Sequence, residues 1–396
     1  MVIDRQSLYF LYAATFFIFL NFNISHTITP LYILDVGGTE FYSGLQSTLY
    51  FLTAVILRFY FGPLADSKGN KRTLLIGATA FATAPLLFLL SENVWYIIFI
   101  RMYQAIGLAA YFSSAISLAS ALAPREQLGR YIGFYRLVTM GTLMIGPTFA
   151  MKVINVYNYE IYHILGIIIG VLAIFFIYFI KEPQSVDKVA TVKGTAPPSN
   201  MLTLLKERQL SPIYLSIFVI SVGYGLVITF MGIFMQRFAA DMNPGIFFTL
   251  FGAGSVVANL TVAALSDRKG RATIAYPCMV IMGSGIAVLY LLPVSHYVIY
   301  FGSVLVGFGY AGSMAILISW IVDIITPARR TTALALQDSS IDIGIALGSL
   351  FFGIIIPILG LPLSFGLSGA FITAFALWRI VGTTRQKKER LSTSNG

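Results

Sequence analysis

Gly62-Pro63-Leu64-Ala65-Asp66-Ser67-Lys68-Gly69-Asn70-Lys71-Arg72 joins two long apolar segments, and a weaker copy follows 201 residues later, Ala263-Ala264-Leu265-Ser266-Asp267-Arg268-Lys269-Gly270-Arg271. Each run places an acid at the end of one apolar segment, a glycine at the turn and bases at the opening of the next. Glycine lets the chain reverse there without a Cβ clash. One such hairpin is compatible with chance. Two, at equivalent places in a hydrophobic chain, indicate an internal duplication.

The surrounding chain is 57% hydrophobic and 11% charged, with a mean hydropathy of +0.82. Soluble domains carry about a quarter charged residues. Apolar stretches near the roughly 20 residues that a bilayer crossing requires recur at about 8–34, 42–65, 73–91, 94–123, 130–155, 161–180, 213–236, 245–266, 273–293, 297–325, 332–357 and 362–382. Met1-Val2-Ile3-Asp4-Arg5 leads straight into the first, with no A-x-A-like site behind a short apolar region, so a removed signal peptide is not expected. The single cysteine, Cys278, excludes an intramolecular disulfide.

A net charge of +10 in a soluble protein would suggest nucleic acid. Its distribution here points to topology instead. With the N-terminus inside, Arg5, Lys68, Lys71, Arg72, Arg125, Arg130, Lys181, Lys206, Arg268, Lys269, Arg271, Arg329, Arg330 and the run Arg385–Arg390 all fall on the cytoplasmic side. Only Lys152 and Arg237 fall outside, where Asp35, Glu40, Glu92, Glu160 and Asp241 cluster. This is the positive-inside pattern, and it predicts a multi-pass protein of the cell membrane with both termini cytoplasmic. Its partners are then the lipid bilayer and a small-molecule substrate; nucleic acid is not expected, and a monomer suffices.

The one long polar stretch, Lys181 to Ser211, contains Ala196-Pro197-Pro198-Ser199. It divides the chain into a first bundle (1–180), a cytoplasmic linker (181–211) and a second bundle with a basic tail (212–396). Residues Asn200–Glu207 of the linker read either as a short amphipathic helix on the membrane surface or as plain connection. At an offset of about 202, Gly146-Pro147 falls on Gly348-Ser349, which extends the duplication beyond the hairpins. The expected fold is an all-α integral membrane protein with twelve transmembrane helices in two pseudo-symmetric six-helix bundles, the architecture of a secondary transporter.

The two hairpins resemble the signature loop of the major facilitator superfamily, and the resemblance extends along the chain. Arg101-Met102-Tyr103-Gln104-Ala105-Ile106-Gly107 is similar to that family's R-x-x-Q-G-x-G motif in span four, with alanine at its first glycine. Pro30-Leu31-Tyr32 with Gly37, and Gly141, Gly146 and Pro147 in span five, resemble the drug:proton antiporter branch. The Gly141–Gly146 spacing is one residue longer than that branch's, and Ala150-Met151 replaces its final glycine pair. Asp342-Ile343-Gly344-Ile345-Ala346-Leu347-Gly348 is similar to exporters of that branch, including drug and metallophore exporters. The resemblance implies that Gly62, Asp66, Gly69, Lys71 and Arg72, with Asp267, Gly270 and Arg271, form a cytoplasmic gate, latched in the outward-open state. The alternative is that these bases only set topology.

Ionisable groups inside the spans are the sharpest functional signal, because each costs roughly 2.5–3.5 kcal/mol at a span centre. They are His26, Arg58, Arg101, Arg136, Asp338 and Asp342. Arg58 and Asp338 lie eight residues from Asp66 and Arg330, at about 12 Å depth each by helical rise. The family places spans two and eleven side by side, so Arg58 pairs with Asp338 or Asp342. The two acids share one helical face, four residues apart, and a low dielectric opposes their joint ionisation. Either one of them carries a transported proton, or the pair is a static tie between helices. Arg136 aligns with Asp338, and Asn259 with Arg58, so the halves differ where charge matters. By resemblance Arg101 and Gln104 organise the cavity and proton coupling. Asn23 and His26 lie on a polar stripe of span one, His26 as a ligand group or a helix-to-helix hydrogen bonder. Gln337, Tyr103, Tyr111, Tyr135, Tyr224, Thr229 and Gln236 add candidate polar points to an aromatic cavity.

The reading is a non-enzymatic secondary transporter working by alternating access. Proton-coupled export of a drug-like amphiphile or metallophore-like compound is favoured; a proton-coupled importer or a uniporter is the alternative. No H-E-x-x-H, clustered Cys/His or G-x-x-x-x-G-K-[ST] occurs, so neither a cofactor nor a metal is expected, and the energy comes from an ion gradient, with protons favoured over sodium, or from the solute's own gradient.

Overall fold

The computed structural model describes residues 5–124, 127–182, 203–207, 209–326 and 329–394. Among the described residues twelve long helices run in order: α1 (Arg5–Asp35), α2 (Glu40–Lys68), α3 (Asn70–Phe88), α4 (Val94–Leu122), α5 (Leu128–Val156), α6 (Tyr159–Tyr178), α7 (Ser211–Phe238), α8 (Gly245–Lys269), α9 (Arg271–Val288, continued by a 3-10 turn Leu289–Leu291), α10 (Val298–Ile324), α11 (Arg330–Leu359) and α12 (Leu361–Ser394). No strand occurs among the described residues. With no water in a bilayer core, each backbone polar group must be satisfied within its own segment, which helices do. Eleven of the twelve are long and apolar enough to cross a membrane. The other, α3, is only 19 residues long and opens on Asn70-Lys71-Arg72; it is covered by α4 and α6.

The signature hairpins contract to single glycines. Lys68 ends α2, Asn70 begins α3, and Gly69 between them has φ +91°, a backbone that disfavours any side chain. Gly270 repeats this between α8 and α9 with φ +93°. Helix α12 runs past the expected span end at 382 to Ser394. Of the proposed linker helix, residues 203–206 are helical; 183–202 and 208 lie outside the described residues.

In the first half α1 packs on α5 and α6, α2 and α3 on α4, and α3 on α6. In the second, α10 packs on α8 and α9, α9 on α12, and α7 on α11. The halves meet along α2–α11, α5–α8 and α1–α7, and the first two seams are copies of one another. Thr48 Oγ1 donates to the Ala346 carbonyl at 2.8 Å; its repeat equivalent, Thr249 Oγ1, donates to the Met144 carbonyl at 2.6 Å. A Cβ on Gly44 would strike the Ser349 carbonyl, and one on Gly245 would strike the backbone of Pro147 and Thr148. Helices that approach this closely need small residues at the contact.

These contacts crowd toward the face that carries the α1–α2 and α7–α8 turns, termed here the acidic face. Arg237 Nη2 and Glu40 Oε1 close it at 2.8 Å, and Asn243 Nδ2 donates to the Thr148 carbonyl at 3.1 Å. Leu31 covers Gly232 on the α1–α7 seam. Nearer the opposite, basic face, the last side-chain hydrogen bonds or ion pairs joining the halves among the described residues are Arg58–Asp342 and Asn259–Met140. Beyond them Arg136 and Asp338 are exposed. Charged groups at that depth do not face lipid, so the halves part toward the basic face.

Candidate functional site

Two polar clusters occupy the interior, and α2 serves both. Its residues Gln46, Tyr50, Ala54 and Arg58 follow a four-residue step along one face. The first two meet Arg101 of α4; the last meets Asp342 of α11.

Arg101 is 0% exposed. Its Nε donates to Gln46 Oε1 at 2.8 Å, its Nη1 to Ser25 Oγ at 3.1 Å and also to Gln104 Oε1, and its Nη2 contacts His26 Nδ1 at 3.0 Å. The guanidinium lies 4.1 Å from the Tyr50 ring centroid, a cation–π stack. Ser25 also donates to Gln104 at 3.0 Å, and Gln104 Nε2 reaches Asn21 Oδ1 at 3.5 Å. His26 Nε2 and the Tyr50 hydroxyl are buried with no hydrogen-bond partner among the described residues. Thus His26, Gln104 and Arg101 come together as one network. Asn23 does not join it: Asn23 Nδ2 donates to Thr142 Oγ1 of α5 at 3.0 Å.

One residue along α2 from Gln46, Ser47 Oγ accepts from Thr229 Oγ1 of α7 at 3.2 Å, and Thr229 contacts Ser349 Oγ of α11 at 2.9 Å. Three hydroxyls from three helices thus close the centre of the inter-half contact. Beside the network, a crevice between α1, α3, α5 and α6 reaches Asn21 and Ser25. Ile24, Phe88, Val153 and Ile169 give it apolar walls.

The second cluster lies nearer the basic face. Arg58 Nη1 forms an ion pair with Asp342 Oδ2, the side chains being 26% and 9% exposed. Of the two partners that the sequence left open, the structure brings Arg58 to Asp342. Asp338, one turn away, accepts from Gln337 Nε2 at 3.1 Å and lies within Coulomb reach of Arg58 and Arg136. Tyr50, two turns before Arg58 on α2, lies within the same reach of Arg58 and Asp342.

The repeat equivalent of Arg58–Asp342 is Asn259–Met140, where Asn259 Nδ2 lies 3.6 Å from the Met140 sulfur. Its geometry is duplicated and its charge is absent. Several expected cavity residues sit elsewhere. Tyr103 bonds Thr83 at 2.7 Å and Tyr111 bonds Thr15 at 3.2 Å, both inside the first half. Tyr135 packs edge-on against Phe19 there. Tyr224 stacks on Tyr310 at 4.3 Å in the second half, and Gln236 is exposed near the acidic face.

At the basic face, Lys71 Nζ donates to the carbonyls of Tyr178 and Ile180 at 2.8 and 2.7 Å. Glu182 accepts the backbone N–H groups of Asn70 and Lys71 at 2.7 and 3.2 Å, capping the N-terminus of α3 with a carboxylate. Arg72 is exposed and Gly62 has open space around it. The Asp66 side chain lies outside the described residues. In the second half Arg271 pairs with Asp267 and, at 2.7 Å, with Asp323. Among the described residues these loops are tied within their own half, which fits a gate standing open on this face.

Gln46, Tyr50 and Glu182 escaped the sequence reading. Gln46 and Tyr50 carry no charge in a chain rich in aromatics, but their four-residue register with Arg58 was a usable signal. Glu182 fell within a stretch read as linker.

Comparison with known proteins fits this architecture. The family model of the Major Facilitator Superfamily matches residues 11–244 and 213–395. The chain is 25% identical over 382 residues to the staphylopine export protein of Staphylococcus aureus (strain Mu50 / ATCC 700699), covering 91% of this chain and 92% of that protein. It is 23% identical over 288 residues to the multidrug resistance protein MdtG of Salmonella typhimurium, covering 69% of each. Among solved structures it superposes on the nucleoside transporter NupG with a TM-score of 0.80 at 14% identity, covering 95% of this chain and 99% of that one. A POT family transporter superposes with a TM-score of 0.79 at 12% identity, over 96% of each chain. At these identities the solved structures speak to the fold alone.

Proposed function

The chain belongs to the major facilitator superfamily, and from that premise we propose that it is a proton-coupled exporter of a small organic molecule, working by alternating access. One observation carries this reading: the ion pair Arg58–Asp342 joins the two halves inside the membrane, with a second acid, Asp338, one turn nearer the opening. A proton arriving from the open side meets Asp338 and Asp342. Protonation of Asp342 removes the charge that holds Arg58, which loosens the α2–α11 seam. Deprotonation restores the tie. Proton occupancy is thereby linked to how the halves stand relative to one another, which is what coupling requires.

Export as the direction draws support from the named relatives, a staphylopine exporter and a multidrug resistance protein. The positive-inside bias orients the basic face to the cytoplasm of a cell membrane, with both termini on that side. Both halves lie in one chain, so a monomer is the functional unit. The remaining candidates take supporting roles: Gln337 holds Asp338, Arg136 faces it, Asn23 fixes α1 to α5, and the loops with Gly62, Asp66, Gly69, Lys71, Arg72, Asp267, Gly270 and Arg271 form the cytoplasmic gate.

The test is solute-dependent proton flux in proteoliposomes under an imposed pH gradient, with a lumenal pH dye. Proton movement opposite to solute is the expected result. Movement in the same direction would make the protein an importer. Solute movement without protons would reduce Asp338 and Asp342 to structural charges.

A further inference from the structure

We propose that the Arg101 cluster is an anchoring site for the anionic group of the substrate, a carboxylate on an amphipathic molecule; this rests on the transport reading above and names its substrate class. The argument begins with charge. Arg101 is 0% exposed, and no carboxylate lies within ion-pair distance of it among the described residues. A buried charge is costly unless an opposite charge compensates it. Counting the span charges, three guanidinium groups (Arg58, Arg101, Arg136) stand against two carboxylates (Asp338, Asp342), which leaves one positive charge. Asp342 is taken by Arg58, and Asp338 faces Arg58 and Arg136. The uncompensated charge is Arg101.

The neutral partners add a second, independent observation. A guanidinium has donors and no acceptor. His26 Nδ1, 3.0 Å from Arg101 Nη2, must therefore be the acceptor, which puts the ring proton on Nε2. That N–H is buried without a partner, and so is the Tyr50 hydroxyl on the ring beneath the guanidinium. The cluster thus holds a cation and two donors in search of acceptors. A neutral guest can accept from the two donors, but only an anion also compensates the charge. The adjoining crevice has apolar walls of Ile24, Phe88, Val153 and Ile169 and counts among its lining Ser25, a direct partner of Arg101. Apolar volume beside a buried cation suits an amphipathic acid better than an inorganic anion. The cluster is closed to solvent in this state, and Ser47, between its Gln46 and Tyr50 on α2, makes the inter-half contact with Thr229, which also meets Ser349. Parting that contact uncovers α2, which presents Gln46 and Tyr50 to Arg101.

The experiment uses the full chain in phosphatidylcholine nanodiscs, titrated with 2-naphthoate and with its neutral analogue 2-naphthamide, reading equilibrium binding and the thermal unfolding midpoint. Naphthoate is expected to bind about tenfold more tightly than the amide, as charge-assisted hydrogen bonds allow. Tyr50→Phe and His26→Phe should each lower that acid-over-amide preference about threefold, and Arg101→Gln should abolish it. Should Arg101→Gln fail to fold, the other two variants still decide. Equal binding of acid and amide, no binding of either, or a preference unchanged in both Tyr50→Phe and His26→Phe overturns the proposal. A preference that persists after phosphatidylglycerol is added supports it; its loss would assign the site to a lipid headgroup and overturn it. Failure here is separable from failure of the transport reading. Proton-coupled flux of neutral solutes without acid preference leaves the function intact, while acid-selective binding without flux leaves the site intact.

Discussion

Arg58 and Asp342 can be separated experimentally into a tie and a proton carrier. Removing one partner of a buried pair strands the other, so Asp342→Asn and Arg58→Gln should each destabilise the protein. Because Arg58 is 26% exposed, the cost should be on the order of 1–3 kcal/mol, below that of a fully buried pair. The double variant Arg58→Gln/Asp342→Asn should recover most of the loss in thermal midpoint, the signature of a direct interaction. If Asp342 also carries the proton, Asp342→Asn should flatten the pH dependence of transport, whereas Asn259→Ala, at the uncharged equivalent position, should leave it intact. A flat profile in neither variant would make the pair structural only. The sequence showed both acids and their arginine, because a charge among twenty apolar residues is conspicuous. It could not choose between Asp338 and Asp342, which share one face, since that choice depends on how α2 and α11 are rotated against each other. Nor could it reveal Tyr50 and Gln46 as partners of Arg101, for neither is unusual until its neighbour is known.

Among the elements, the α2–α11 and α5–α8 seams close backbone to backbone at Gly44 and Gly245. A valine at either position has no room while the acidic face is shut. Gly44→Val is therefore expected to hold the protein open on that face, so that a cysteine placed at Thr229 becomes reactive to a membrane-impermeant thiol reagent added from that side. Absence of labelling, in protein that still folds, would mean that this seam does not part during the cycle. At the other end, Glu182→Gln weakens the cap on α3, a loss of about 0.5–2 kcal/mol by the worth of helix caps, read as faster amide exchange in the first turn of α3. The helices themselves were legible from hydropathy. Their ends were legible where glycine marked them, at Gly69 and Gly270, and less so where no breaker stands, as in α12, which passes its apolar end unbroken. Glu182 was legible as a charge but not as a cap, because its partner N–H groups lie more than a hundred residues earlier.

At the scale of the molecule, the duplication read from two hairpins reappears as paired contacts, Thr48–Ala346 with Thr249–Met144 and Arg58–Asp342 with Asn259–Met140. Two seams of the same shape, one ionic and one neutral, make a symmetric frame with a one-sided control. The unmatched Arg101 has an electrical consequence. A charge that crosses the full field contributes about 2.3 kcal/mol per 100 mV. On the alternating-access reading proposed above, the closed seam and the open face exchange places, so the field drops across a different stretch of protein while Arg101 stays in its bundle. The empty carrier must then do electrical work to reset, and its return should speed up or slow down with an imposed potassium diffusion potential. A carrier whose Arg101 is neutralised by a bound anion should cross the same step with little sensitivity to voltage.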